Sequence, residues 1–262
     1  MKSIIKYSLI CLLVTAVAVG AFLGYKLYSE REEVLCATFE RTTIVRDSTR
    51  VIPPDTLVTV NGVNFKMISI PGGDIASKGR KDTLTLYNFF ISETEVTQEL
   101  WEAVMGNNPS AHQGDPQLPV ECVDMQACID FVEKLSELTG KKFFLPGLEQ
   151  WEYAAHLGNE NDDVIYCGSN ELEELGWYED NSGGQTHPVK QKRPNALGLY
   201  DMSGNVAEWT SPVCDPFAAT PGGGYNKESS YCGTDVKEYC HYNVADGNLG
   251  LRIVYYNANM LK

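Results

Sequence analysis

The chain has 262 residues, 43% of them hydrophobic and 21% charged, which suits one large globular domain with added segments and excludes a low-complexity chain. Its net charge of −14 leaves no basic face for nucleic acid and argues against anionic lipid as a partner of the domain surface. Four histidines without clustering, and no CxxC pair, give no zinc or mononuclear iron site.

Residues Tyr7–Tyr25 are an uncharged apolar run preceded by Lys2 and Lys6. The run is long enough to cross a bilayer core as a helix. Charge asymmetry places the N-terminus in the cytoplasm. The expectation is an uncleaved transmembrane signal anchor over residues 1–26; the competing reading is a signal peptide cleaved at Ala16-Val17-Ala18. Either way the domain lies outside the cytoplasm, periplasmic or extracellular. Cys11 stands too early, behind Ile10, for lipidation. Seven cysteines remain of the eight, so disulfides are expected and at least one thiol stays free or joins another chain.

Residues 27–60 are polar and charged, with Pro53-Pro54 near the end, and read as a stalk. Short alternations at Thr42–Arg46 and Leu57–Val60 could add a strand or two. The domain itself is expected over 61–262. Asn61-Gly62 is a turn leading into a strand at Asn64–Ile70. Phe89–Glu95 reads as another strand. Thr97 is an N-cap, Val96, Leu100 and Val104 form a helical stripe, and Gly106 stops that helix. A second helix spans Asp124–Thr139, with Ala127, Phe131, Leu135 and Leu138 on one face and Gly140 as its stop. A third begins near Leu148, where Glu152 ties helix to loop. Gly176–Val189 is a Gly-rich turn carrying Asp180 and Asn181, and His187 is a structural loop histidine.

Arg193–Trp209, RPNALGLYDMSGNVAEW, has neither helical nor strand periodicity and reads as a folded loop. Gly198 and Gly204 can take positive φ, and Asn205 tolerates it. Ser203, Gly204 and Val206 could turn carbonyl oxygens inward while Glu208 adds a carboxylate, an all-oxygen set that suits Ca²⁺. The alternative is an irregular core loop with Glu208 in a salt bridge. Both stay open.

NALGLYDMSGNVAEW resembles the GLYDMxGNVWEW segment of the formylglycine-generating enzyme (sulfatase-modifying factor) family, with Ala207 in place of a Trp. Phe65–Gly73, the run ISETEVTQELWEAVMGNNPS, Leu145–Ala155 and Asn248–Arg252 resemble further segments of that family. The resemblance runs from about Phe65 to Val254. It implies an α+β protein with the formylglycine-generating-enzyme fold, a C-type-lectin-like core, few regular elements and long packed loops. It also implies bound Ca²⁺, with Asn181 and Ser182 near a second calcium site, and a core-anchoring role for Arg252.

Enzymes of that family oxidise a sulfatase cysteine to formylglycine with O₂ and Cu(I). Two cysteines five residues apart, after a GGS-aromatic turn, hold the copper, because soft thiolates suit Cu(I). Here the turn is Gly222-Gly223-Gly224-Tyr225, and counting on gives Lys227 and Cys232. Ser230, Tyr231 and Trp209 match pocket residues, but Gly224 replaces the Ser and an ammonium replaces one thiol. Cys232 also has a bland reading, a structural disulfide, with Cys240 as its nearest partner in the chain. The reading is an extracytoplasmic binding or assembly module with a protein or peptide partner, lacking the copper pair. The alternative is an intact formylglycine-generating oxidase. An iron-dependent sulfoxide synthase is weaker, since its histidine-bearing domain is absent from this sequence.

Overall fold

The computed structural model describes residues 42–46, 52–77, 84–157, 163–212 and 215–256, with backbone alone for 42–46 and 75–77. The apolar run at 7–25 and Cys11, Cys36 and Cys214 lie outside the described residues. Among those described, no helix is long and apolar enough to cross a membrane. Residues 1–42 with 77–81 cluster as one unit, of which Thr42 and Ser77 alone are described; the account below concerns the other, 43–76 with 82–262.

Six strands come early: β1 (Thr42–Arg46), β2 (Thr56–Val60), β3 (Val63–Ile70), β4 (Gly73–Ser77), β5 (Leu84–Leu86) and β6 (Phe89–Ser92). β2 and β3 form a hairpin because Asn61 and Gly62 take φ of 48° and 88°, the positive pair that a two-residue turn of matching twist requires. Asp55 Oδ1 accepts from Ser69 N–H at 3.0 Å, so the end of the segment read as stalk belongs to the domain sheet. β6 stops at Ser92, short of the expected Glu95, because the chain turns there and carries Glu95 into the interior.

Three helices follow: α1 (Gln98–Met105), α2 (Met125–Thr139) and α3 (Leu148–Leu157). Their caps are those the sequence implies. Thr97 accepts from Leu100 N–H, Asp124 accepts from Ala127 N–H, and Gly106 and Gly140 close α1 and α2 in the left-handed conformation. β7 (Phe143–Phe144) lies between α2 and α3. The short α4 (Leu172–Leu175), then β8 (Ala207–Glu208), β9 (Phe217–Pro221), β10 (Lys237–His241), β11 (Leu249–Gly250) and β12 (Val254–Tyr255) complete the chain.

The main sheet has the order β2-β3-β6-β12-β7; β1-β4-β5, β9-β10 and β8-β11 form smaller sheets. Both faces of the main sheet are covered. Met67, Phe90 and Tyr255 point into a cluster with Trp101, Phe131 and Trp209, while Ile68, Ile91 and Val254 point into one with Trp151, Tyr153 and Leu199. Double coverage explains why β6 reads FFI without a polar alternate. Trp101 stacks on Phe131 at 4.8 Å between centroids and joins α1 to α2. Residues 163–256 are mostly loop, and buried polar contacts hold them.

Candidate functional site

The Arg193–Trp209 loop is fixed by side chains and by two glycine contacts. Asn195 Oδ1 accepts from the N–H groups of Leu197 and Leu199. Asp201 and Asn205 take φ of 55° and 63°. At Gly176 a Cβ would lie 1.5 Å from Ser203 O, and at Gly204 2.4 Å from Trp177 O, so residues 176–177 touch 203–204 backbone to backbone. Ser203 Oγ accepts from Cys167 N–H at 3.1 Å.

Glu208 is fully buried, and both its oxygens are engaged. Arg252 Nη2 donates to Oε1 at 2.7 Å, and Arg252 Nε and Trp151 Nε1 donate to Oε2 at 2.6 and 2.5 Å. Arg252 Nη1 also donates to Ser92 O and Nη2 to Tyr200 O. Arg252 thus ties β6, the Asp201 loop and β8 together, and Glu208 is the salt-bridged residue of the bland reading. Two more buried acids see this pair. Burial, then the charges of Asp201 and Glu208, push the Glu95 carboxyl well above the usual range. Glu95 accepts from Asn205 Nδ2 and Val206 N–H. Burial lifts Asp201 to about 6. Its Oδ2 accepts from Lys190 N–H, and its Oδ1 is buried without a hydrogen-bond partner. Asn181 stands apart from this cluster: its Oδ1 caps Tyr178 N–H, and its Nδ2 donates to Gly176 O and Glu173.

Ser230, Tyr231 and Cys232 share one 3₁₀ turn at Ser229–Tyr231 and its exit. Cys232 is fully buried behind Gly223, whose missing Cβ would come 2.6 Å from the sulfur. Burial pushes its thiol up to about 12, opposite to what a thiolate ligand or nucleophile needs. Lys227 Nζ pairs with Glu238 Oε2 at 2.6 Å and lies 5.4 Å from the Tyr231 ring centre. Trp209 packs in the core, its Nε1 donating to Val123 O at 2.8 Å. Cys122, Cys128, Cys167, Cys232 and Cys240 are all free thiols, which corrects the expected Cys232–Cys240 bridge. The physical reason is direction. Cys232 turns onto Gly223, whereas Cys240 sits on β10 opposite Ala218, with its sulfur 3.5 Å from Thr220 Oγ1.

Residues 54–256 match the sulfatase-modifying factor enzyme 1-like domain. The chain belongs to this family. It is 31% identical to the chaperone protein LppX of Paenibacillus barcinonensis over 224 residues, 66% of this chain and 74% of that one. Among solved structures it resembles Treponema denticola variable protein 1, with a TM-score of 0.72 and 30% identity over 78% of this chain and all of the other. PvdO from Pseudomonas aeruginosa shares the fold, with a TM-score of 0.62 and 18% identity over 84% of this chain and 100% of that one. The fold is the formylglycine-generating-enzyme fold expected from the sequence, mixed helix and sheet with few helices.

The family implies two metals, and the residues answer differently for each. Copper does not fit: Cys232 is buried with its thiol pushed up to about 12, and the family's first cysteine is replaced by Lys227, whose ammonium pairs with Glu238. Calcium has a single opening, and it is not through Glu208. Glu95, Asp201 and Glu208 are three buried carboxylates near the Arg252 guanidinium, Lys190 also acts on Asp201, and Asp201 Oδ1 is left over. Among the described residues no three acid, histidine or cysteine side chains are placed to hold a metal ion, and Arg252 and Trp151 take both Glu208 oxygens, so Asp201 Oδ1 is the one carboxylate oxygen of this cluster open to a hard cation. Asp201 is the residue the sequence reading missed. The sequence holds no signal that singles it out, since its positive φ of 55° is seen only in the structure.

Proposed function

We propose that this protein is an extracytoplasmic binding or assembly module of the sulfatase-modifying factor family, held at the membrane by residues 1–26 and directed at a protein or peptide partner. One observation carries the reading. Lys227, which counting along the chain sets at the family's first cysteine, is ion-paired to Glu238, and Cys232, at the second, is buried behind Gly223. A buried neutral thiol beside an ammonium neither holds Cu(I) nor delivers a thiolate. The relative named as a chaperone supports a role in handling another polypeptide. The net charge of −14 sets nucleic acid aside. Calcium, if bound at Asp201 in the Arg193–Trp209 loop, is structural in this reading and keeps the loop folded.

The test is direct. The protein loaded with Cu(I) is incubated with a CxPxR sulfatase peptide in air, and the peptide is weighed by mass spectrometry. No aldehyde is expected. K227C should bind Cu(I) more tightly than the natural protein, because it recreates a two-sulfur set. Formylglycine made by the natural protein and lost in C232S would overturn the reading and establish the oxidase.

A further inference from the structure

A groove of about 470 Å³ opens between α2 and β7, and none of the residues of the Cys232 turn or the Glu208 pair lines it. That volume is in the range that holds a bulky side chain or a small ligand. The groove follows from how α2 ends. Gly140 closes the helix in the left-handed conformation, and the chain returns into β7, the last strand of the main sheet. Val132, Phe143 and Leu145 are buried and form an apolar floor. Half-buried Ile129, exposed Pro212 and Phe144, which is 45% exposed, form the walls. Ser136 and Ser211 keep their hydroxyl groups inside the protein. Ser136 Oγ accepts from Phe143 N–H at 2.9 Å and donates to Val132 O at 2.6 Å, and Ser211 Oγ donates to Leu145 O at 2.9 Å. The floor therefore offers carbon to an occupant. The rim is charged. Glu133 and Glu137 are exposed, stand one helical turn apart on α2, and form no ion pair among the described residues. Like charges at that spacing cost the helix stability, which a cation bound between them restores. Lys142 completes the rim and pairs with neither.

We propose that this groove docks a polypeptide partner through a bulky apolar side chain set beside an arginine. Charge complementarity selects the cation. A guanidinium is planar, always charged and carries five donors, so it can reach the Glu133 and Glu137 carboxylates together. The apolar neighbour fills the floor over Val132, Phe143 and Leu145 and covers the exposed Phe144 ring, the kind of aromatic contact that anchors interfaces. The net charge of −14 favours a basic polypeptide over an anionic lipid surface. This rests on the binding-module reading and names the chemistry of the partner.

The probe is an array of acetylated serine hexapeptides in which one phenylalanine and one arginine are walked through every pair of positions. Companion arrays carry glutamine or glutamate in place of the arginine, or serine in place of the phenylalanine. Retention of the full chain is read by antibody, and the tightest peptide is then titrated in solution. Peptides with the phenylalanine close to the arginine should be retained, and the companions should not. Phe144→Ala should weaken binding about tenfold or more, since it removes the aromatic wall. The double variant E133Q/E137Q changes two exposed side chains, so it should fold normally and weaken binding about threefold to tenfold. It should also bring the arginine peptide and its glutamine form to the same affinity. Retention of no phenylalanine–arginine peptide, equal retention of the glutamate array, or an affinity unchanged in either variant would overturn the proposal. A dimer of the chain that F144A dissolves would overturn it too, by making a second copy the occupant. Those outcomes leave the binding-module reading intact, because it stands or falls on the copper and peptide assay.

Discussion

At the scale of single residues, the decisive fact is that the loop's charges answer one another inside the protein. Glu208 and Arg252 are both 0% exposed, and four donors converge on, or radiate from, that pair. Isolated buried charges are expensive, so the pair holds only while both members are present. Glu208→Gln should therefore cost about 3–5 kcal/mol, because it strands a buried guanidinium. Urea melts read that cost. It should persist in excess chelator if Arg252 is the reason, and a loss below about 1 kcal/mol would show that the ion pair adds little. Lys227 and Cys232 are the opposite case. Their chemistry was legible by counting along the chain, since a missing thiol shows in a sequence without any structure. The burial of Cys232 behind Gly223 was not legible, because it depends on a loop contact set by Gly223 at φ 71°.

At the scale of elements, α1 and α2 were readable end to end. Their caps, Thr97 with Gly106 and Asp124 with Gly140, are local signals that satisfy local N–H and C=O groups. β2 and β3 were readable for a similar reason, since Asn61-Gly62 sets both turn and register. The two-residue strands β8, β11 and β12 were not. Each exists because a distant partner supplies its hydrogen bonds, as Ala207 pairs with Leu249 and Val254 with Ile91. Such pairings leave no periodic trace in a stretch that short. The contact between residues 176–177 and 203–204 is equally silent, and it gives a sharp expectation. Gly176→Ala would drive a Cβ to 1.5 Å from Ser203 O, which the backbone must move to avoid. Loss of several degrees in melting temperature is expected, with Gly183→Ala as the comparison, where φ of 66° adds strain but no atom lies within 4 Å. If G176A melts no lower than G183A, the two loop segments do not touch as described.

At the scale of the whole molecule, one question is what neutralises the buried acid cluster in a chain already carrying a charge of −14. Glu95, Asp201 and Glu208 face Arg252, with Lys190 acting on Asp201 as well, and Asp201 Oδ1 has no hydrogen-bond partner. Either protons or a cation must make up the difference, and the two have different signatures. A cation bound to the folded state and absent from the unfolded one raises stability by about 2.7 kcal/mol at a hundred times its dissociation constant. For a domain of this size each kcal/mol moves the melting temperature by about 2–4 °C, so calcium should raise it by roughly 5–10 °C over the chelated protein. Asp201→Ala should abolish that difference while leaving the protein folded at low temperature, since it removes the unpartnered oxygen together with its charge. If chelator and calcium give the same melting curve for the natural protein, protons carry the balance, and the Arg193–Trp209 loop is held by Arg252 without a metal.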